Sequence, residues 1–290
     1  MASLKDIKRQ IRAVKQTQKL TKAMNMVAAA KLRAIQSRTE NFRAYADEHH
    51  RLMEAIGLQS QELAHPLLRH NEDSKKVEIM AISSDRGLCG SFNTNICQKL
   101  DRKIQTLRDK GSEISLFLVG RKIQEYYRRR KVAVSYGRPL GNFFYRDAQK
   151  IAEALTEGFV AGKTREIIVL TTKFAGLARQ EPVFIPFLPL THDETAHRAR
   201  PIGYGYEVEP DPATLFDHLL PRSLSITIFQ ALLESLTSEN AARMQAMDNA
   251  SKNCKEITES LTVVYNKLRQ AAVTNELLDI VNGSEALAAA

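Results

Sequence analysis

The sequence predicts two long helices, one toward each end, bracketing a small, mostly parallel α/β domain. Three observations carry this. Residues 1–64 contain no proline, a single glycine (Gly57) and apolar positions at helical spacing. From Phe229 onward the apolar positions hold a strict 4-3 register over many heptads. Between these segments, short β-rich runs alternate with helical stretches, the pattern of a parallel sheet with crossover helices. The expected division is 1–64, 75–205 and 210–286.

At the start of the first helix, Ser3 offers a cap and Asp6 sits in the first turn, where a negative charge is favoured. Leu4, Ile7, Ile11, Val14, Met24, Val27, Ala28, Leu32, Ile35, Phe42, Ala46, Met53 and Ile56 then recur at helical spacing, with a polar lapse near Gln18, Thr21 and Asn25. At 1.5 Å per residue such a segment measures roughly 80 Å, which suits a coiled coil better than an ordinary globular helix.

The middle is expected to hold strands at 77–83, 114–119, 132–135, 166–172 and 183–190, with helices near 93–109, 121–130 and 145–162. The last segment is expected to start near Pro212, to kink or restart at Pro221, and to stop at Gly283. Its seam reads Phe229, Leu233, Leu236, Asn240, Arg243, Met247, Ala250, Cys254, Ile257, Leu261, Val264, Leu268, Ala271, Asn275 and Leu278.

With 42 Lys and Arg against 33 Asp and Glu, the 290-residue chain carries +9, a charge that fits nucleic acid, an anionic membrane or an acidic protein face. Apolar content of 43% argues for a folded chain. Cys89, Cys97 and Cys254 form no CxxC pair, no apolar leader precedes Lys5, and no run approaches the ~20 apolar residues of a membrane helix. A soluble protein in a reducing compartment is expected.

Candidate chemistry is sparse. Gly158-Phe159-Val160-Ala161-Gly162-Lys163-Thr164 has three residues between its glycines where a phosphate loop needs four, and it lies between a helix and a strand, so a plain turn is expected. Ser84-Asp85-Arg86-Gly87-Leu88-Cys89-Gly90 follows the first strand, where α/β proteins place their sites. With no histidine nearby, a tight turn holding a local Asp85–Arg86 pair and a buried Cys89 is favoured over a nucleophilic site. His49, His50, His192 and His197 show no metal spacing. The basic helix face (Lys5, Lys8, Arg9, Arg12, Lys15, Lys19, Lys22) and the run 128–131 are compatible with phosphate contacts but carry no nucleic-acid module.

Three blocks add a family resemblance: Ile7-Lys8-Arg9-Gln10-Ile11 through Thr17-Gln18-Lys19-Leu20-Thr21-Lys22-Ala23-Met24 and on to Leu32; Asp85-Arg86-Gly87-Leu88-Cys89-Gly90; and Ser238-Glu239-Asn240-Ala241-Ala242-Arg243-Met244, with Tyr265-Asn266-Lys267-Leu268-Arg269-Gln270-Ala271 and Thr274. In these the chain resembles the γ subunit of F-type ATP synthases. The resemblance implies an antiparallel coiled coil of the terminal helices with an inserted Rossmann-like α/β domain. It implies a non-catalytic rotor shaft that couples proton flow to ATP synthesis at the β subunits.

The partners implied are the α and β subunits, the ε subunit and the membrane c-ring, with no nucleic acid, no cofactor, and membrane contact only through partners. Met24, Arg243, Arg269, Gln270 and Thr274 match positions where such a shaft meets the ring. The expected lower contacts are Asp85 and Arg86 in the turn 85–90, and Tyr204, Tyr206 and Glu207 in a separate loop that also carries Glu209 before Pro210. The stretch 171–209 is short and lacks the cysteine pair of chloroplast members. The expected setting is therefore the cytoplasmic face of a bacterial inner membrane. A coiled-coil nucleic-acid binder, and a small enzyme using Asp85, Arg86 and Cys89, stand as alternatives.

Overall fold

The computed structural model describes residues 3–59, 65–69, 71–141, 143–177, 179–190, 209 and 211–288. Helix α1 (Leu4–Gln59) leads, through a short 3-10 turn at Pro66–Leu68, to β1 (Lys76–Ile82), α2 (Phe92–Asp109) and β2 (Glu113–Val119). Then follow α3 (Arg121–Tyr127), β3 (Ala133–Arg138), α4 (Tyr145–Val160), β4 (Glu166–Phe174), β5 (Gln180–Leu188) and α5 (Pro212–Ala288).

The sheet order is β3-β2-β1-β4-β5, with β1 to β4 parallel and β5 antiparallel at the edge. Side chains alternate between its faces, as the pleat requires. Val77, Ile79, Ala81, Leu116, Leu118, Ile168 and Leu170 join the apolar side of α2 and α3. Met80, Ile82, Phe117, Val119, Ile167 and Val169 join α4 and the buried stripe of α5, which includes Leu220, Leu224 and Ile228. Burial on both faces explains why these strands read as near-continuous apolar runs.

The last helix neither restarts at Pro221 nor stops at Gly283. It passes through Pro221 without a break and runs beyond Gly283 to Ala288. Proline forfeits one backbone donor, but Leu219, Leu220 and Leu224 are buried around it, and the Ser225 hydroxyl donates to the Pro221 carbonyl (2.9 Å). Packing outweighs the local penalty. At Gly283 an interior glycine costs only about 1 kcal/mol relative to alanine.

The chain forms two compact units, 1–28 with 244–290, and 29–243. In the larger one, Phe229 of α5 is the hub. Its ring meets Phe42 of α1 edge-on at 4.6 Å, Tyr145 of α4 at 5.6 Å and Phe143 at 5.7 Å. The Arg38 guanidinium lies 5.1 Å from the same ring and donates to the Phe143 carbonyl (3.0 Å).

In the smaller unit, Asn25 donates to the Met244 carbonyl (2.8 Å), so one residue of the polar lapse in α1 is a hydrogen-bonding point. The predicted seam of α5 shifts here. Ile257 and Val264 are 49% and 42% exposed. Thr258 and Tyr265 are half-buried instead, together with Cys254, Leu261, Leu268 and Ala272. A helix that keeps 3.6 residues per turn falls about 20° behind a 3.5 repeat with each heptad, so the position one residue on eventually takes over the seam.

Phe229→Ala should lower stability by about 3–5 kcal/mol, because it empties a site that three elements share. The midpoint and slope of denaturant unfolding measure it; a shift under about 1 kcal/mol would show that the hub collapses around the smaller side chain.

Candidate functional site

The turn after β1 sits where the strand order reverses, between β1 and β4, the usual ligand crevice of an open α/β sheet. Ser84 Oγ donates to the Arg86 carbonyl (2.7 Å), and Asn93 Nδ2 donates to Ser84 Oγ (2.8 Å) and Cys89 Sγ (3.2 Å). Leu88 and Gly90 adopt left-handed backbone, φ 62° and 59°, and the Leu88 side chain is 62% exposed. An apolar side chain in solvent on such backbone is an uncommon combination, and it marks the tip of the turn.

Asp85 does not pair with Arg86, contrary to expectation. Its carboxylate accepts from the backbone N–H groups of Arg121 (3.0 Å), Leu140 (2.9 Å) and Gly141 (2.6 Å). Donors fixed in the backbone outcompete an exposed, flexible guanidinium that must lose side-chain entropy to pair. Close by, Gly120 (φ 104°) approaches Ser83 so tightly that a Cβ would stand 2.2 Å from its carbonyl oxygen. Asp85 and Gly120 together tie the ends of β1, β2 and β3 around the turn.

From the other side comes α5. Arg243 Nη2 donates to the carbonyls of Arg86 (3.1 Å) and Gly87 (3.4 Å), and it pairs with Glu239 one turn earlier (2.7 Å). The two side chains are only 14% and 9% exposed. Ser238 Oγ donates to the Thr172 carbonyl at the end of β4 (2.9 Å), and Thr171 Oγ1 donates to the Ala231 carbonyl (2.7 Å). The crevice between the ends of β1 and β4 is thus taken by the protein's own helix.

Burial raises the Cys89 thiol above its ordinary value, against the opposing influence of Ser84 and Arg243. Burial and the neighbouring Asp101 push Cys97 up to about 11. A buried, protonated thiol is the opposite of a poised nucleophile. Burial also raises the Glu239 carboxyl, with Arg243 pulling the other way.

The remaining expected residues are dispersed. Met24 is half-buried, while Arg269, Gln270 and Thr274 lie on an exposed face of α5, where Thr274 Oγ1 donates to the Gln270 carbonyl (2.9 Å). Tyr204, Tyr206, Glu207 and Pro210 fall outside the described residues. The stretch 158–164 comprises the last residues of α4 and the turn that leads to β4, with Gly162 at φ 71°. Sequence reasoning missed Asn93 as a partner of the β1 turn, Glu239 as the partner of Arg243 there, and Ser238 as the link from α5 to the end of β4. Only the Glu239–Arg243 spacing of four, which places both on one helix face, was a readable signal.

An α/β sheet whose ligand edge is given over to gripping a long helix defines a helix-anchoring scaffold. The family model described as ATP synthase matches residues 3–287. The chain is 41% identical to the ATP synthase gamma chain of Syntrophus aciditrophicus over 292 residues, covering 99% of each. It is likewise 41% identical to that of Geobacter metallireducens over 288 residues, again 99% of each.

The fold is similar to a chain in the Euglena gracilis mitochondrial ATP synthase structure (TM-score 0.69, 18% identity, 98% of this chain and 94% of that one). It is also similar to one in the Tetrahymena thermophila mitochondrial ATP synthase central stalk and c-ring (TM-score 0.60, 24% identity, 80% and 99%). The chain belongs to the ATP synthase γ-chain family.

Arg243→Met should cost about 3–5 kcal/mol, since it strands a buried carboxylate, and a second change, Glu239→Gln, should recover much of that loss. The sign with pH follows from the raised carboxyl. In the single variant the folded state binds the Glu239 proton more tightly than the unfolded state does, so the deficit shrinks as pH falls toward the ordinary carboxylate range. Unfolding curves at neutral and acidic pH measure both effects. Separately, a thiol reagent at neutral pH should modify Cys254 in the native chain and reach Cys89 and Cys97 only after unfolding.

Proposed function

We infer that the chain is the central rotor shaft of an F-type ATP synthase, coupling proton flow through the membrane sector to ATP synthesis and hydrolysis at the β subunits. The observation that carries this is 41% identity, end to end, with bacterial ATP synthase gamma chains. The partners are the α and β subunits of the catalytic ring, the ε subunit and the c-ring. The chain is itself non-catalytic and sits peripherally at the cytoplasmic face of the bacterial inner membrane. Among the described residues no helix is long and apolar enough to cross a membrane, which supports contact with it through partner subunits.

In this reading the terminal helices, 1–64 and 210–286, form an antiparallel coiled coil around the Rossmann-like insert, 75–205. Supporting it, the charged neighbours of α1 and α5 run in opposite order: Lys31 acts on Glu239, Arg43 on Glu234 and Arg222 on His49. Leu20, Met26, Val27, Val263, Val273 and Ile280 are exposed apolar residues in the unit 1–28 with 244–290, as suits a surface that a surrounding ring covers.

Around a shaft with unlike faces, three identical β sites cannot all share one lowest-energy conformation. Each shaft angle biases the sites differently, and by linkage nucleotide binding biases the angle. Met24, Arg269, Gln270 and Thr274 meet the ring, while Arg243, committed to Glu239 and the β1 turn, serves by fixing α5 rather than by touching a partner. Asp85, Arg86, Tyr204, Tyr206 and Glu207 serve the lower contact, Asp85 by holding the turn rather than by touching a partner.

Adding the purified chain to isolated α and β subunits should restore ATPase activity, and failure to do so overturns the assignment. In the assembled enzyme, Tyr204→Ala with Tyr206→Ala should leave ATPase intact and abolish ATP-driven proton pumping in reconstituted vesicles. Retention of both activities would remove that loop from the torque path.

A further inference from the structure

A groove of about 630 Å³ lies between the solvent side of α2 and the edge strand β5. Its walls carry Lys99, Arg102 and Lys103 from one face of α2 and Arg179 from the turn before β5. Glu181 is its one carboxylate among the described residues, and it is paired with Arg179 (3.1 Å). The ammonium groups of Lys99 and Lys103, one helical turn apart, both lie near the Phe184 ring, at 5.9 and 5.5 Å. Like charges at this spacing repel. No acidic group among the described residues forms an ion pair with either lysine or with Arg102, so the groove holds concentrated positive charge that its own walls do not neutralise.

The edge of β5 is closed to strand addition. Pro182 and Pro186 stand opposite Thr172 and Ile168, on the parity whose N–H groups face away from β4, and proline has none to offer. The outward carbonyl of Pro182 is already taken by the Lys99 ammonium. Recognition here therefore runs through side chains. The charges sit on the middle of a helix, whose backbone N–H groups are spent internally, so the groove lacks the convergent amides that hold a compact phosphate. A stripe of cations along α2, faced by Arg179 and floored by an aromatic ring, matches carboxylates spaced along a polypeptide.

We propose that this groove docks an acidic polypeptide segment of a partner protein, bound by its carboxylates against Lys99, Arg102 and Lys103. The site shares no residue with the β1 turn, and it does not depend on the rotor assignment.

The test uses the full-length chain and a fluorescein-labelled peptide of alternating Glu and Ser, read by anisotropy at low salt. Arg102→Gln with Lys103→Gln should weaken binding about ten-fold, while Glu181→Gln should tighten it, through gain or loss of charge–charge contacts. Lys99 is left in place because it holds Pro182. Arg128→Gln with Arg129→Gln, in a separate exposed basic cluster, should leave binding unchanged. Equal loss in that control, no peptide binding by the wild type, or displacement of the peptide by stoichiometric pyrophosphate or phosphatidylglycerol vesicles would each overturn the proposal. Unchanged thermal unfolding of the variants would tie the effect to the groove.

Discussion

The carbonyls of Arg86 and Gly87 lie just past the end of a sheet strand, where no neighbouring strand can receive them. The guanidinium of Arg243, far along the chain on α5, donates to both, and the Ser84 hydroxyl also donates to the Arg86 carbonyl. The turn is thus held from two sides, by the Ser84 hydroxyl within it and by the Arg243 guanidinium of α5, and the second contact ties its shape to the helix. The converse also holds, because Arg243 and Glu239 are too deeply placed to be held by each other alone. A buried ion pair seldom repays its desolvation unless further hydrogen bonds satisfy the groups involved. The turn carbonyls provide them, which makes helix and turn mutually dependent.

That dependence changes what the α/β fold is for. In an open sheet of this order, the crevice beside the strand reversal normally receives a ligand. Here Ser238 and Thr171 join α5 to the end of β4, while Arg243 joins it to the end of β1. The position most suited to chemistry is used as a helix mount. Asp85 reinforces the mount from below by drawing the chain at Arg121, Leu140 and Gly141 onto one carboxylate. Residues that look catalytic in sequence, an acid, a base and a thiol within a few positions, turn out to be parts of a joint.

The alternating pattern of the middle segment was legible because strands buried on both faces and amphipathic helices write different periods. Each predicted element there appears within a few residues of its expected bounds. What the sequence concealed was tertiary. Pro221 and Gly283 carry local signals for breaking or ending a helix, and both are overridden within α5. Arg86 beside Asp85 suggests a local pair, but backbone donors remote in sequence compete better and leave no trace in composition. The slip from Ile257 to Thr258 and from Val264 to Tyr265 reflects helix geometry that a heptad count cannot detect. The contacts around the strand ends were the least readable, because Asn93, Ser238 and Glu239 are ordinary polar residues until the fold brings them to the β1 turn, the end of β4 and Arg243.

The unit 1–28 with 244–290 follows a different economy from the sheet domain. Its half-buried seam mixes small, polar and apolar groups at Cys254, Thr258, Leu261, Tyr265, Leu268 and Ala272, while Val263, Val273 and Ile280 face outward. A seam so modest contributes limited burial, and helices of this length rely on packing beyond propensity for their stability. Outward apolar groups then favour enclosure by a partner. Dispersed among Lys and Arg, they offer shallow contacts of comparable strength at many angles rather than one deep socket. For a shaft that must occupy successive orientations against the same ring, such a surface limits how far any single angle is preferred. The differences that remain between its faces are what a nucleotide-driven step can act upon.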